Sequence, residues 1–147
     1  MFSETDRRFM RLALSEAEAA FDAGEIPVGA VVVSGTKLLA KARNQTELLN
    51  DVTAHAEMIA TTAGTQALAA KYLTDCTVYI TLEPCAMCAG ALFWARPARI
   101  VVGAIDEKRG FTRLGVAMLH PKTVYEQGLM ADESAALIQE FFRMRRE

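Results

Sequence analysis

Two short segments of the sequence combine residue types that bind metal ions. One is His55-Ala-Glu57, and the other is Pro84-Cys85-Ala-Met-Cys88. A neutral imidazole and two thiolates are ligands that zinc prefers in proteins. Three protein ligands leave a fourth coordination position open for water, which is typical of a catalytic site. The spacing therefore predicts a catalytic zinc site formed by His55, Cys85 and Cys88.

Both segments are predicted to lie at the start of a helix. Pro84 is favoured in the first turn of a helix, so Cys85 and Cys88 would lie three residues apart on one face of that turn. His55 is predicted near the start of another helix, with Thr53 as a candidate cap. The free N–H groups and the positive end of each helix dipole favour a thiolate over a thiol. We expect the two helix starts to converge on one cation.

Glu57 is the carboxylate that this motif places beside the metal. Zinc held by two thiolates and a neutral imidazole is formally neutral, so it acidifies a bound water less than a site of three histidines would. A neighbouring base must then assist, and Glu57 could pass a proton from the water to a ring nitrogen and a leaving amine. The pattern H-x-E…P-C-x-x-C is a signature of zinc nucleobase deaminases.

The cysteines have two other interpretations. Cys85 and Cys88 could form a redox pair of the thioredoxin type, although the preceding proline and the matched histidine favour zinc. They could also belong to a closed structural zinc site, for which His120 is the only other histidine that could complete the ligand set. Cys76 is predicted to lie on a strand, and we interpret it as a buried apolar residue without a catalytic role.

Length and composition indicate one globular domain covering residues 1–147. The chain is 52% hydrophobic and 23% charged, which excludes disordered and collagen-like classes. Its formal net charge of −2 gives no bulk basic character that would indicate nucleic-acid binding. The first residues carry charges throughout, and no apolar run is long enough to span a bilayer. We expect a soluble cytoplasmic protein that does not associate with membranes.

Hydrophobic periodicity predicts an α/β protein in the order α-β-β-α-β-α-β-loop-β-α. The first helix begins at a capping pair, Ser3 and Asp6, and stops at Gly24. The predicted strands cover residues 28–33, 37–42, 76–81, 99–102 and 122–125, and the later helices cover residues 55–63, 84–96 and 132–146. A hairpin turn at Ser34-Gly35 makes the first strand pair antiparallel. The β-α-β-α-β order implies parallel neighbours, so a mixed five-stranded sheet with helices on both faces is expected.

The chain resembles the bacterial tRNA-specific adenosine deaminases of the cytidine-deaminase-like superfamily. The similar stretches span nearly the whole chain and read EIPVGAV (25–31), Asn44, DVTAHAE (51–57), TLEPCAMCAGA (81–91), GAxD (103–106), and ADE with FFRMRR (131–146). The resemblance implies a three-layer α-β-α cytidine-deaminase-like fold. It also implies Zn²⁺-dependent hydrolysis of adenosine to inosine at the wobble position of a tRNA anticodon loop, by a homodimer.

Beyond the metal ligands and the proton shuttle, the resemblance implies a nucleoside pocket. Asn44 would hydrogen-bond the flipped-out nucleoside, because a side-chain amide offers both a donor and an acceptor. The residues alone leave open that Asn44 only caps the loop after a strand. Ala56, through its backbone N–H, and Pro27 and Val28, through packing, would line the pocket.

The chain departs from the family pattern where an RNA loop or a partner subunit would touch. LFWAR (92–96) stands where the family often has a histidine, and EKRGFTRLG (107–115) stands where a short Gly-Ser-Leu stretch is expected. Phe93 and Trp94 could stack on bases, or pack in the core or a dimer interface. A rim of basic residues could bind phosphates, or form solvated loop and helix ends: Lys108, Arg109, Arg113, Arg143, Arg145 and Arg146.

Two other functions are compatible with the sequence. The same chemistry could act on a free nucleobase or nucleoside, such as guanine, cytosine or cytidine. Alternatively, the chain could be a non-catalytic RNA-binding module that zinc stabilises. Such a module would not need Glu57, because it has no proton to transfer.

Overall fold

The computed structural model describes residues 1–115 and 117–145. Its elements are α1 (Glu4–Asp22), β1 (Gly29–Ser34), β2 (Lys37–Arg43), α2 (Thr46–Leu49), α3 (Ala56–Leu68), β3 (Cys76–Leu82), α4 (Ala86–Ala95), β4 (Arg99–Ala104), a 3-10 helix (Phe111–Leu114), β5 (Val124–Gln127) and α5 (Ala131–Arg145). The predicted order of strands and longer helices is confirmed. The four-residue α2 and the 3-10 helix were not predicted. Arg146, the predicted end of the last helix, lies outside the described residues.

The sheet is mixed and five-stranded, in the order β2-β1-β3-β4-β5. β1 pairs antiparallel with β2 and with β3, whereas β3–β4 and β4–β5 are parallel. The predicted antiparallel hairpin is confirmed, but its turn is Gly35-Thr36, because Ser34 still pairs with Lys37. The expectation that the first β-α-β unit joins neighbouring strands is wrong, because β1 lies between β2 and β3. The almost wholly buried β1 occupies the interior of the sheet, and the more exposed β2 forms an edge.

Helices cover both faces of the sheet, as predicted for a three-layer fold. Alternate strand residues point to opposite faces, so Val31 and Val33 pack with α1 whereas Val32 packs on the other side. α5 contacts α1, and α3 contacts α4. No helix within residues 1–115 and 117–145 has the length and apolar character needed to cross a membrane.

Asp6 caps α1 and also ties this helix to the sheet. The side chains of Ser3 and Asp6 each accept the other's backbone N–H at 3.0 Å, which confirms the predicted capping box. The same carboxylate accepts two hydrogen bonds from Arg99, at 2.7 and 3.0 Å, and one from the Tyr79 hydroxyl at 2.7 Å. These bonds, led by those from Arg99, hold the pKa of Asp6 well below its usual range. Gly24 follows the helix with φ +80°, in agreement with the predicted stop.

Candidate active site

The starts of α3 and α4 bring the predicted metal ligands together. His55 and Cys85 are the N-cap residues of these helices, both with extended backbone. The predicted helix starts are therefore slightly displaced. Thr53 does not cap α3, since its hydroxyl donates to the Asp51 carboxylate at 2.7 Å. Pro84 precedes the cap of α4 and does not occupy its first turn. At an N-cap, a side chain projects beside the free N–H groups of the first turn.

The three predicted ligands form a metal-binding group. The Nδ1 atom of His55 lies 3.7 Å from the Sγ atom of Cys85 and 3.4 Å from that of Cys88, and all three ligand atoms lie within 4.8 Å of one another. A tetrahedral ion with zinc's bond lengths separates its nitrogen and sulfur ligands by about 3.5 Å, so the donor set fits such an ion. His120 does not join this group. Its ring contacts Phe93, with centroids 5.9 Å apart.

A hydrogen-bonded network prepares one sulfur to act as a ligand. Hydrogen bonds with Cys88 and His55 lower the pKa of the Cys85 thiol to about 3. The bond to Cys85, together with burial, raises the pKa of Cys88. The hydrogen bond to Cys85 also raises the pKa of His55. The lowered pKa favours the thiolate form of Cys85 at neutral pH, which is the form that binds a metal ion. Cys76 is buried on β3, as predicted.

Glu57 is the second residue of α3 and is buried against the metal-binding group. Removal from water is the main reason that the pKa of this carboxyl group rises to about 7. The His55 and Cys85 charges and the Cys88 thiol also act on it. A carboxyl group with a pKa near neutrality can both accept and release a proton in one reaction cycle. These properties are those required of a proton shuttle.

The residues predicted to line a nucleoside pocket are brought together beside this group. Asn44 directly follows β2 and is buried, with its Oδ1 atom 2.7 Å from the backbone N–H of Ala56. Its Nδ2 atom donates to the carbonyl of Ile26 at 3.1 Å. Pro27 and Val28, the next residues in that segment, are also buried. Asn44 thus joins the end of β2 to the start of α3, and its role toward a nucleoside stays a prediction.

Sequence reasoning missed two buried carboxylates, Glu25 and Glu83, which are 2% and 3% exposed. Glu25 accepts the backbone N–H groups of Glu47 and Leu48 at 3.0 and 2.8 Å, and so holds α2 in place between Asn44 and His55. Glu83 holds the loop after β4 in the same way, since it accepts the backbone N–H groups of Asp106 and Thr112. Each carboxylate lies one or two residues before a proline beside an apolar strand. This pattern of a glutamate shortly before a proline is the feature of the sequence that could have indicated the two buried carboxylates.

The two aromatic residues at the end of α4, Phe93 and Trp94, differ in burial, and neither is fully buried. Trp94 is 68% exposed, so packing in the core of this chain is excluded for it. Phe93 is partly buried, and its ring meets that of Trp94 edge to face, with centroids 5.2 Å apart. The remaining expectations for Trp94 are stacking on RNA or contact with a partner subunit.

The predicted basic rim is divided between two elements. Lys108, Arg109 and Arg113 are exposed and form no ion pair within residues 1–115 and 117–145. On α5, by contrast, Arg143 pairs with a glutamate one turn earlier, and Arg145 donates to a backbone carbonyl that follows α1. Arg146 lies outside the described residues. The loop therefore carries cations that are available to an anionic ligand.

Comparisons with known proteins agree with this site. Residues 4–146 match the family model of MafB19-like deaminases. The chain is 40% identical over 143 residues to the tRNA-specific adenosine deaminase of Aquifex aeolicus (strain VF5), and this match covers 94% of each chain. It is 42% identical over 144 residues to that of Agrobacterium fabrum (strain C58 / ATCC 33970), again over 94% of each.

Solved structures give the same result. A structure from a study of A-to-I editing by tRNA:A34 deaminases at the wobble position superposes with a TM-score of 0.83 and 39% identity, covering 88% of this chain and 98% of that one. Guanine deaminase from Nitrosomonas europaea superposes with a TM-score of 0.79 and 23% identity, over 96% and 85% of the two chains, which shows a shared fold alone. The chain therefore belongs to the tRNA-specific adenosine deaminase family.

Proposed function

We propose that this protein is a zinc-dependent hydrolase that converts adenosine to inosine at the wobble position of a tRNA anticodon loop. We further propose that residues 1–147 form one deaminase domain. The observation that carries the proposal is the burial of Glu57 beside His55, Cys85 and Cys88, in a chain that belongs to this family. A module that only bound RNA would have no use for a buried base at a metal group.

We assign zinc to this group, because one imidazole and two thiolates suit zinc. When bound, zinc acidifies water in its open coordination position. Glu57 would carry two protons from the attacking water, one to the adenine ring nitrogen beside C6, where it stays in inosine, and one to the departing amine. The water oxygen forms the C6–O bond, the C6–N bond breaks, and the products are inosine and ammonia. The pKa of Glu57, which burial raises to about 7, suits a group that both accepts and releases a proton.

Asn44, Ala56, Pro27 and Val28 are proposed to hold the flipped-out nucleoside. Asn44 is fixed by its hydrogen bonds to Ile26 and Ala56. Its oxygen still has a second lone pair and its nitrogen a second hydrogen, so each can bind a ligand. The buried Pro27 and Val28 supply an apolar wall. An amide oriented in this way can select a base by its edge.

We also propose that the protein works as a homodimer in the cytoplasm, where it would meet tRNA. Met87 and Trp94 lie seven residues apart on α4, and therefore on one face of that helix. They are 37% and 68% exposed, which leaves an apolar surface that a second subunit could cover. Sedimentation measurements would test this assembly.

The test of the function is inosine formation in a synthetic tRNA anticodon arm with adenosine at the wobble position. Wild-type protein should release one ammonia per inosine, whereas Glu57→Ala should retain its metal and form none. An arm with adenosine at another loop position is the matched substrate control. If folded, zinc-loaded wild type left the arm unchanged but released ammonia from guanine or cytidine, the protein would be a free-base or nucleoside deaminase instead.

A further inference from the structure

Glu83 directly precedes residues 84–88, here called the metal-binding turn, and its side chain accepts three hydrogen bonds that the proposed mechanism does not use. This glutamate is buried and follows the last residue of β3. One carboxylate oxygen accepts the backbone N–H of Asp106 at 3.0 Å. The other oxygen accepts both the backbone N–H and the hydroxyl of Thr112, at 2.9 and 2.5 Å. One carboxylate therefore holds both Asp106 and Thr112, which belong to residues 106–114, here called the basic loop.

Two further contacts press the basic loop onto the same turn. The backbone N–H of Phe111 donates to the carbonyl of Pro84 at 3.0 Å. Gly110 approaches the Glu83 side chain so closely that a Cβ atom there would overlap its carboxyl group. The φ of Gly110 is −63°, so glycine is needed for this contact and not for the backbone conformation. The basic loop is thus docked one residue before the ligand Cys85.

The charges of the basic loop point outward. Lys108, Arg109 and Arg113 are exposed. The Asp106 carboxylate is engaged inside the loop, where it accepts the backbone N–H groups of Lys108 and Arg109 at 3.1 and 3.0 Å. Among residues 1–115 and 117–145 these three cations form no ion pair, and they outnumber the two carboxylates of the loop, Asp106 and Glu107. They are therefore available to an anion. RNA phosphates are such anions, and contacts to them set the position and register of a nucleic acid.

We propose that Glu83 is a positioning residue that holds the basic loop so that its cations grip the RNA backbone while the nucleoside reaches the metal. This inference rests on the proposed function. Release of the loop would lower the fraction of protein that is competent to bind RNA, and KM would rise by the inverse of that fraction. The turnover of bound RNA would change little, because Glu57 and the metal ligands are untouched.

Thr112→Val and Gly110→Ala test the proposal without altering the metal-binding turn. Thr112→Val removes one donor to Glu83, and Gly110→Ala forces the carboxylate and the loop apart. Each should raise KM for the anticodon arm about tenfold and keep kcat within about twofold. The KM of wild type should rise with salt, because each phosphate contact to a single strand adds about 0.7 to the slope of log K against log [salt]. The variants should show the same slope at a higher KM, because their competent fraction makes the same phosphate contacts. Thr62→Val, an exposed threonine on α3, is the matched control and should behave as wild type.

Glu83→Gln is the direct variant, and it should raise KM in the same way. If it failed to fold or to bind zinc, the two loop variants would still decide the question. A fall in kcat with an unchanged KM in those variants, or an equal rise of KM in Thr62→Val, would overturn the proposal. The proposed function and the role of Glu83 can be refuted separately. If wild type binds the anticodon arm without forming inosine, the proposed function is refuted. If wild type forms inosine and Thr112→Val has the same KM as wild type, the role of Glu83 is refuted.

Discussion

Replacement of Asp6 by asparagine should destabilise the protein strongly, although Asp6 is not part of the metal-binding group. Asp6 is 4% exposed and its two carboxylate oxygens accept hydrogen bonds from Arg99, Tyr79 and Ser3. Asparagine would place an NH₂ group against these donors and leave the Arg99 guanidinium without its buried partner. Breaking a buried ion pair costs about 3–5 kcal/mol. Arg99 keeps its bond to Glu126, so we expect the lower end, about 3 kcal/mol.

Urea unfolding of the zinc-loaded protein measures this cost. With a slope of about 2 kcal/mol per M, the midpoint should fall by about 1.5 M. Asp22→Asn is the matched control, because Asp22 is an exposed aspartate at the other end of α1. It should change the free energy of unfolding by less than about 0.5 kcal/mol.

The same variant has a defined dependence on pH. The folded-state pKa of Asp6 is lowered, so its stabilisation is complete above the unfolded-state value of about 3.9 and is lost as the pH falls through the folded-state value. The difference between wild type and Asp6→Asn should therefore be constant from pH 5 to 8 and narrow below about pH 4. A midpoint shift no larger than that of Asp22→Asn, or a difference that widens in acid, would refute this reasoning.

Three other predictions concern the site. Glu57→Gln should lower kcat/KM by about 10²–10⁴-fold, the usual contribution of acid–base catalysis, with zinc content unchanged by elemental analysis; near wild-type turnover would exclude Glu57 as the shuttle. Chelation of zinc should abolish activity and lower Tm by about 10 °C. Addition of zinc, but not of magnesium, should restore both, as measured by inosine formation and by scanning calorimetry. Glu25→Gln should lower the free energy of unfolding, measured with urea, by about 2 kcal/mol, and it should raise KM, because α2 loses hydrogen bonds that hold it between Asn44 and His55. An unchanged KM would show that the position of α2 does not affect RNA binding.

The metal-binding group was predictable because its residues lie in two short segments of the sequence. His55 and Glu57 are two residues apart, and Cys85 and Cys88 are three apart, so the chain itself sets their spacing at each helix start. The capping pair at the start of α1 and the strand periodicities are local in the same sense. Patterns of this kind decide the type of each element and which of its residues face the interior.

The roles of Glu25 and Glu83 were not predictable on the same basis. Their partners lie 21 to 29 residues further along the chain, in loops without a regular hydrophobic pattern. The identity of a carboxylate says nothing about which distant N–H groups will meet it. The exposure of Trp94 was also not predictable, because its position on the helix is compatible with a core, a subunit interface or an RNA-binding surface.

The sequence by itself therefore determined the order of the strands and longer helices along the chain and the three residues of the metal-binding group. Only the tertiary structure decided that β1 separates β2 from β3, and that buried carboxylates hold α2 and the basic loop beside the metal-binding group. It also decided that the cations of the basic loop form no ion pair within residues 1–115 and 117–145. The physical reason is the range of the interactions. Covalent spacing and periodicity act over a few residues, whereas strand order and the partners of a buried charge depend on packing between segments far apart in the chain.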